Sequence, residues 1–302
     1  MGTETEYEIL LFYKYVEIAA PQTCMYDMRR LCERLKLTGR IIIAKEGINA
    51  TVEGEKKNTD VFCGAFFADA RFIDTHVKRS VGTGDAFPRL SIKVRKDLVS
   101  DALDIEVDPL ATTGNRLSPE ELRTWIENDR DLFHIVDMRN EYEYRSGFFE
   151  GSILPGMNNF RDLPYVTKEK LSHIKEKKIV TVCTGGVRCE KASGYLLKQG
   201  FKNVYQLDGG IVSYMEKFPG KDFKGSLYVF DKRKVMNFNT PESHEIVGVC
   251  DLCNAPSENY ENCSLDTCHS HFICCLECKK VQEGDHFCSI SCREGKCAIK
   301  KR

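Results

Sequence analysis

The sequence predicts an α/β protein in three parts: an α+β domain, a parallel sheet covered by helices, and a small cysteine-rich module. Three observations predict it. Strand and helix patterns run β-α-β-β-α-β up to about residue 100. From Ser118 onward strands and helices alternate singly, the pattern of a parallel sheet. Ten of the fifteen cysteines lie from Cys250 onward. At 302 residues, 42% hydrophobic and 29% charged, the chain has the size and composition of a soluble protein of two or three domains. The segment Met1 to Tyr7 carries Glu4 and Glu6 and lacks the basic and apolar regions of a signal peptide. No apolar run reaches the roughly 20 residues of a membrane helix. The expected compartment is therefore the reducing cytoplasm, where cysteines serve as thiols, metal ligands or catalysts rather than disulfides.

The elements follow in order. Glu8 to Tyr15 alternates as a strand. Pro21 to Leu35 has a proline near its start and Met25, Met28, Leu31, Cys32 and Leu35 at helical spacing, with Gly39 placed to end the helix. Arg40 to Ala44 and Ala50 to Glu53 are strands around a Glu46-Gly47 turn. Asn58 to Ala68 is helical in pattern, Arg71 to Val77 strand-like, and Leu90 to Val94 extended. This order predicts a ferredoxin-like (acylphosphatase-like) domain over residues 1–100. Residues 101–117 are acidic, with Pro109 and Gly114, and read as a linker. Ser118-Pro119-Glu120-Glu121 opens a helix with a capping box. Phe133 to Val136 is a strand, Glu141 to Arg145 a short helix, Thr167 to Ile174 a helix, and Ile179 to Val182 a strand. Glu190 to Gln199 is a helix, Asn203 to Gln206 a strand, and Asp208-Gly209-Gly210-Ile211 starts a last helix. The central domain is expected over 118–235 and the cysteine module over 236–302.

The chemistry centres on Cys183-Thr184-Gly185-Gly186-Val187-Arg188-Cys189, between the strand ending at Val182 and the helix from Glu190. A glycine-containing loop between strand and helix turns backbone N–H groups inward and forms an anion nest. A thiol held there has a lowered pKa and is reactive. Thr184, Gly185, Gly186 and Val187 form the anion-binding loop, and Arg188 adds a fixed charge. The bland alternative for Cys183 is a buried cysteine at a strand end. The Cys-x4-Arg spacing with two glycines argues against it. Cys189 either resolves a disulfide or persulfide at Cys183 or packs at the helix start. Asp137, Arg139 and Glu190 are expected as ion-pair supports of the loop. Lys168 to Lys202 holds nine Lys/Arg against three Glu, which suits an anionic partner, with Lys191 and Lys198 as candidate phosphate contacts.

Asp137-Met138-Arg139, the Gly151 to Pro155 turn, the Cys183 loop and Leu207-Asp208-Gly209-Gly210 together resemble a rhodanese domain. The loop of six residues from Cys183 to Arg188 resembles the sulfur-handling members, whereas related phosphatases use Cys-x5-Arg. Further matches lie at Gly39-Arg40-Ile41, Glu46-Gly47-Ile48-Asn49-Ala50-Thr51, the run from Cys183 to Ser193, Tyr205-Gln206-Leu207, Gly209-Gly210-Ile211 and Val229-Phe230-Asp231-Lys232-Arg233. With these the chain resembles the bacterial tRNA uridine hydroxylase family over nearly its whole length. Val187 stands where that family commonly has isoleucine, a conservative change. The resemblance implies oxygen-dependent 5-hydroxylation of the wobble uridine of tRNA, with molecular oxygen as co-substrate and Cys183 as the catalytic residue. No nucleotide cofactor, DNA partner or membrane association is expected. The competing expectations are a persulfide-forming sulfurtransferase and a metal-bearing nucleic-acid or protein interaction module.

The C-terminal cysteines fall into pairs: Cys250-x2-Cys253, Cys263-x4-Cys268, Cys275-x2-Cys278 and Cys288-x3-Cys292. Such spacings place two thiolates on one turn and suit tetrahedral zinc, so two structural ions are expected. Spacing leaves sequential and interleaved pairing open. Cys274, Cys297, His269, His271 and His286 are possible substitute ligands. Metal would supply the folding energy that a segment with so little aliphatic content lacks.

Overall fold

Nine residues of alternating pattern, Tyr7–Tyr15, form the strand β1, around which the N-terminal sheet is built. The structure, a computed structural model, describes residues 6–99, 103–268, 270–282 and 284–296. After β1 come α1 (Pro21–Arg34), β2 (Thr38–Ala44), β3 (Gly47–Glu55), α2 (Lys56–Phe67), β4 (Lys78–Val81) and β5 (Leu90–Val94). The sheet order is β4-β1-β3-β2-β5, with β5 parallel to β2 and the other pairs antiparallel. The period of two along β1 sends Leu10 and Phe12 toward α1 and α2, into a core with Met28, Phe62 and Phe66. It sends Leu11, Tyr13 and Tyr15 to the opposite face.

That opposite face meets the central domain. There, β6 (Asn115–Leu117), α3 (Pro119–Asp129), β7 (Phe133–Asp137), α4 (Glu141–Tyr144), β8 (Gly147–Phe149), α5 (Leu163–Glu169), β9 (Lys178–Val182), α6 (Val187–Lys198), β10 (Asn203–Leu207) and α7 (Gly210–Lys217) follow. The sheet β6-β10-β9-β7 is wholly parallel, with cores on both faces. The Ser118–Glu121 capping box forms as expected.

The structure departs from the sequence expectations at five places. Gly39 lies inside β2, and the helix before it ends at Arg34 with Leu35 as its C-cap and Lys36 taking the turn at φ 52°. Arg71 to Val77 is a turn rather than a strand, because Phe72 folds back to stack on Phe66 at 4.5 Å. The helix expected from Thr167 begins at Leu163, where Pro164 fits its first turn. The helix expected from Glu190 begins at Val187, which puts Arg188 and Cys189 in its first turn. The stretch read as a linker supplies β6 and packs Leu103, Ile105 and Val107 on the central core. Those three apolar residues alternate among acids, a strand-like signal masked by charge.

Beyond α7, β11 (Phe223–Gly225) pairs with β8, and β12 (Leu227–Tyr228) pairs with β13 (Val235–Met236). The cysteine module holds the hairpin β14 (Tyr260–Asn262) and β15 (His271–Ile273), then α8 (Leu276–Val281) and α9 (Ile290–Arg293). The Tyr260 hydroxyl donates to the Tyr142 carbonyl at 2.6 Å, and Arg145 pairs with Asp251 at 2.7 Å, tying the module to α4. Among the described residues no helix is long and apolar enough to cross a membrane.

Candidate active site

Cys183 is the first residue after β9, and its side chain is fully buried. Gly186 caps α6 in the left-handed region at φ 104°, and a Cβ there would lie 2.8 Å from the Tyr13 hydroxyl. This turn aims the Gly186 N–H at Cys183 Sγ, 3.2 Å away. The loop is braced from α7: the Ile211 N–H donates to the Cys183 carbonyl at 2.9 Å and the Val212 N–H to the Thr184 carbonyl at 3.1 Å. Gly210 makes this approach possible, since a Cβ there would lie 2.5 Å from the Cys183 carbonyl oxygen. Gly210 of the Leu207 to Gly210 motif thus serves the loop, while Gly209 gives way to the Ser213 side chain, 2.2 Å from where its Cβ would lie.

Burial alone would push the Cys183 thiol up. The Cys189 thiol, the Arg188 guanidinium and the backbone N–H groups of residues 188 and 189 override it and bring Cys183 down to about 6. Cys189 is also buried and moves the other way, raised by burial and by the neighbouring Cys183 sulfur. At neutral pH the pair is therefore a thiolate with a thiol beside it. Alkylation of Cys183 by iodoacetamide is expected to rise about tenfold per pH unit below 6 and level off above it. Mass-spectrometric mapping of the labelled peptide checks this. A midpoint at the ordinary thiol value of about 8.5 would show that the loop does not hold a thiolate.

Arg188 does more than add charge. It is clamped on Glu143 of α4, with Nη2 at 2.7 Å from Oε2, and Glu143 is wholly buried. Asp137 and Arg139 form their own buried pair at 2.7 Å, and Arg139 also donates to the Glu143 and Gly147 carbonyls. Neither hydrogen-bonds to the cysteine loop; Arg139 instead bonds to the backbone of α4, the helix that carries Glu143. Glu190 sits on the far side of α6 and accepts from Tyr13, Thr113, Arg116 and Gln206. It joins α6 to the N-terminal sheet and to β6.

Two residues of the site escaped the sequence reading. The one local signal for Glu143 is its place three residues after Asn140, whose N–H donates to its carboxylate at 2.9 Å. Lys78 of β4 is buried and donates from Nζ to the Gly185 carbonyl at 3.2 Å. Burial lowers it to about 8, against the opposing pull of Cys183, Glu216 and Asp208. The N-terminal sheet thus supplies a cation to the cysteine loop. Lys191, expected to meet phosphate, is instead buried against Glu46 at 3.1 Å and Asp97 at 3.4 Å. Lys198 donates to the Glu106 carbonyl at 2.7 Å.

The eight paired cysteines assemble as two clusters, and the pairing is interleaved. Cys250, Cys253, Cys275 and Cys278 form one, and Cys263, Cys268, Cys288 and Cys292 the other, with all four sulfurs of each within 4.8 Å of one another. The separations Cys253–Cys275 and Cys268–Cys288 are 3.6 Å. Metal–sulfur bonds of about 2.3 Å place tetrahedral ligands about 3.8 Å apart, so both sets fit a tetrahedral ion. Cys274, His271 and His286 lie outside the clusters. His269 and Cys297 lie outside the described residues.

Residues 7–98 match the UPF0176 acylphosphatase-like domain, residues 118–217 the rhodanese-like domain, and residues 224–293 the rhodanese C-terminal family. The chain is 40% identical to the tRNA uridine(34) hydroxylase of Bacillus velezensis over 96% of its length and 89% of that protein. It belongs to the tRNA uridine(34) hydroxylase family. The proteins of that name from Staphylococcus carnosus and Cytophaga hutchinsonii are 39% and 40% identical, over 90% and 98% of this chain and 90% and 92% of theirs.

Proposed function

We propose that this chain is a cytoplasmic enzyme that hydroxylates C5 of the wobble uridine of tRNA, consuming molecular oxygen, with Cys183 as the reacting group. The observation that carries it is the family match across 96% of the chain, which includes the segments on either side of the cysteine loop. The Cys183 thiolate is a nucleophile that can add to C6 of the uracil ring. Addition makes C5 electron-rich, so C5 bonds to an electrophilic oxygen atom. Loss of the C5 proton and of the thiolate then restores the aromatic ring as 5-hydroxyuracil. One oxygen atom enters the base and the other leaves as water, with two electrons and two protons from an external reductant. Arg188 and the loop N–H groups keep the sulfur ionised before attack and accept it back afterwards. Zinc is the ion we assign to the two cysteine clusters, in a structural role, since four protein sulfurs close each site.

The test is nucleoside analysis of tRNA by mass spectrometry in a deletion strain carrying the gene on a plasmid, grown with and without oxygen. 5-Hydroxyuridine is expected to return only with both the gene and oxygen. Its absence in the oxygenated complemented strain would sink the reading. The loop length of six residues favours a second reading, sulfur transfer through a persulfide on Cys183. Thiosulfate-dependent sulfur transfer without any change in tRNA nucleosides would select that reading.

A further inference from the structure

The motif Val229-Phe230-Asp231-Lys232-Arg233 has no part in the chemistry above. Arg233 forks onto Asp231 at 2.9 and 2.6 Å and also donates to the Val81 carbonyl at 3.0 Å and to Ser80 Oγ at 3.2 Å. The Lys232 N–H donates to the Ala86 carbonyl at 3.0 Å. The motif is therefore clamped to the N-terminal domain, at its junction with the central domain and the cysteine module.

This clamp leaves Phe230 standing between two cavities, with 40% of its surface exposed. The smaller, about 50 Å³, is lined by Lys78 and by Thr184, the residue after Cys183. The Thr184 hydroxyl is buried there without a partner. The larger, about 380 Å³, is lined by Arg40, Tyr142, Tyr228, Phe230, Lys232 and Lys234. Its size is that of a small-molecule site. The Arg188 guanidinium lies 5.9 Å from the Phe230 ring centre, so the larger cavity is one ring away from the cysteine loop.

The lining has the chemistry of a nucleotide site. Tyr228 packs edge-on against Tyr142 and Phe230, both at 5.3 Å, which fixes the Phe230 ring beside the cavity it lines. Lys232 is paired with Asp85, whereas Arg40 and Lys234 have no carboxylate within ion-pair distance among the described residues. Asp231, the acid in the lining, is neutralised by Arg233. His271 also borders the cavity: its Nδ1 meets Asn262 Oδ1 at 3.0 Å, and its Nε2 is buried without a partner. A buried polar atom left open in this way is satisfied by a ligand or a water. A part-exposed aromatic ring, cations without carboxylate partners and an unmet polar edge together recognise an unstacked base with its phosphates. An acidic peptide would use the cations and leave the ring face idle.

We propose that this cavity binds one unstacked nucleotide of the substrate RNA, with its base on Phe230 and a flanking phosphate on Arg40 and Lys234. The inference rests on the reading of RNA as substrate. It assigns the aromatic junction a substrate-positioning role beside its role in joining the domains.

The test uses the full-length chain and fluorescence anisotropy with a labelled RNA hairpin whose loop contains uridine. Phe230→Leu keeps apolar volume but loses the flat face, and is expected to weaken binding roughly ten- to a hundredfold. Phe230→Tyr keeps the face and is expected to bind as the wild type does. Lys234→Gln is expected to shrink the slope of log affinity against log salt by about 0.7. Arg30→Gln, an exposed change on α1, should leave both unchanged. The alkylation rate of Cys183 reports whether the loop survives each change. Wild-type affinity and salt slope in both Phe230→Leu and Lys234→Gln would overturn the proposal. So would a response to Lys234→Gln alone, which marks a charged patch without a base site. Nucleoside analysis of the complemented strain is read separately: missing 5-hydroxyuridine there defeats the enzymatic reading, while the binding contrast still judges the cavity.

Discussion

Replacing Cys183 by alanine is expected to lower 5-hydroxyuridine in tRNA by roughly a thousandfold or more, the usual consequence of deleting a nucleophile. The assay is nucleoside mass spectrometry in the complemented deletion strain. Stability should change far less than activity. The loop is held by backbone bonds from Ile211 and Val212 and by the Arg188–Glu143 pair, none of which needs the sulfur. Circular dichroism and thermal melting of the variant separate a lost reaction from a lost fold. Cys189→Ala divides the two roles open to the second cysteine. A resolving thiol would leave a trapped adduct on Cys183 in this variant, visible in the intact mass. A packing residue would leave hydroxylation near wild type. Unchanged 5-hydroxyuridine in Cys183→Ala would remove this residue from the mechanism.

Stripping metal from the cysteine module is expected to unfold it while the two other domains stay folded. The module's own apolar cluster is small: Cys263, Phe272, Cys274 and Cys292 are its buried members, Tyr260 and Ile273 are buried instead with Tyr228, and Leu276, Val281 and Ile290 lie exposed. Burial on that scale cannot offset the ordering of some fifty residues, at roughly 1.5 kcal/mol each. A structural zinc supplies about 10–16 kcal/mol of apparent binding energy, which changes the sign of the balance. Elemental analysis should find two zinc ions per chain. Cys250→Ser with Cys275→Ser should lose one of them, and limited proteolysis should then cut within residues 240–296. A metal-free chain with wild-type protease resistance would refute the assignment. Because Tyr260 bonds to Tyr142 and His271 borders the aromatic cavity, RNA affinity should fall along with the metal.

The cysteine loop was legible because its signal is local. A strand, two glycines and a helix within some twenty residues imply an anion nest whatever the rest of the chain does. Pairs of cysteines two to four apart imply metal turns for the same reason. The Ser118 capping box is a four-residue pattern and forms through short-range hydrogen bonds. Errors fell where a side-chain contact outside the local periodic pattern decided the outcome. Phe72 looked like part of a strand until its ring found Phe66. Lys191 looked like a surface cation until Glu46 and Asp97, far away in sequence, enclosed it.

By itself the sequence determined the three-part architecture, the place of Cys183 between a strand and a helix, and the cysteine pairs from which the two clusters are built. Each follows from periodicity or from spacing within one or two turns of chain. Only the tertiary structure decided that Lys78 reaches Gly185 across 107 positions, that Glu143 orients Arg188 across 45, and that the cysteine pairs interleave. Only it placed the uncovered face of the N-terminal sheet on the loop and Phe230 between the two cavities. The physical reason is that charge pairing, burial and cavity shape depend on which surfaces meet, and residue order constrains those meetings only through the packing of the whole chain.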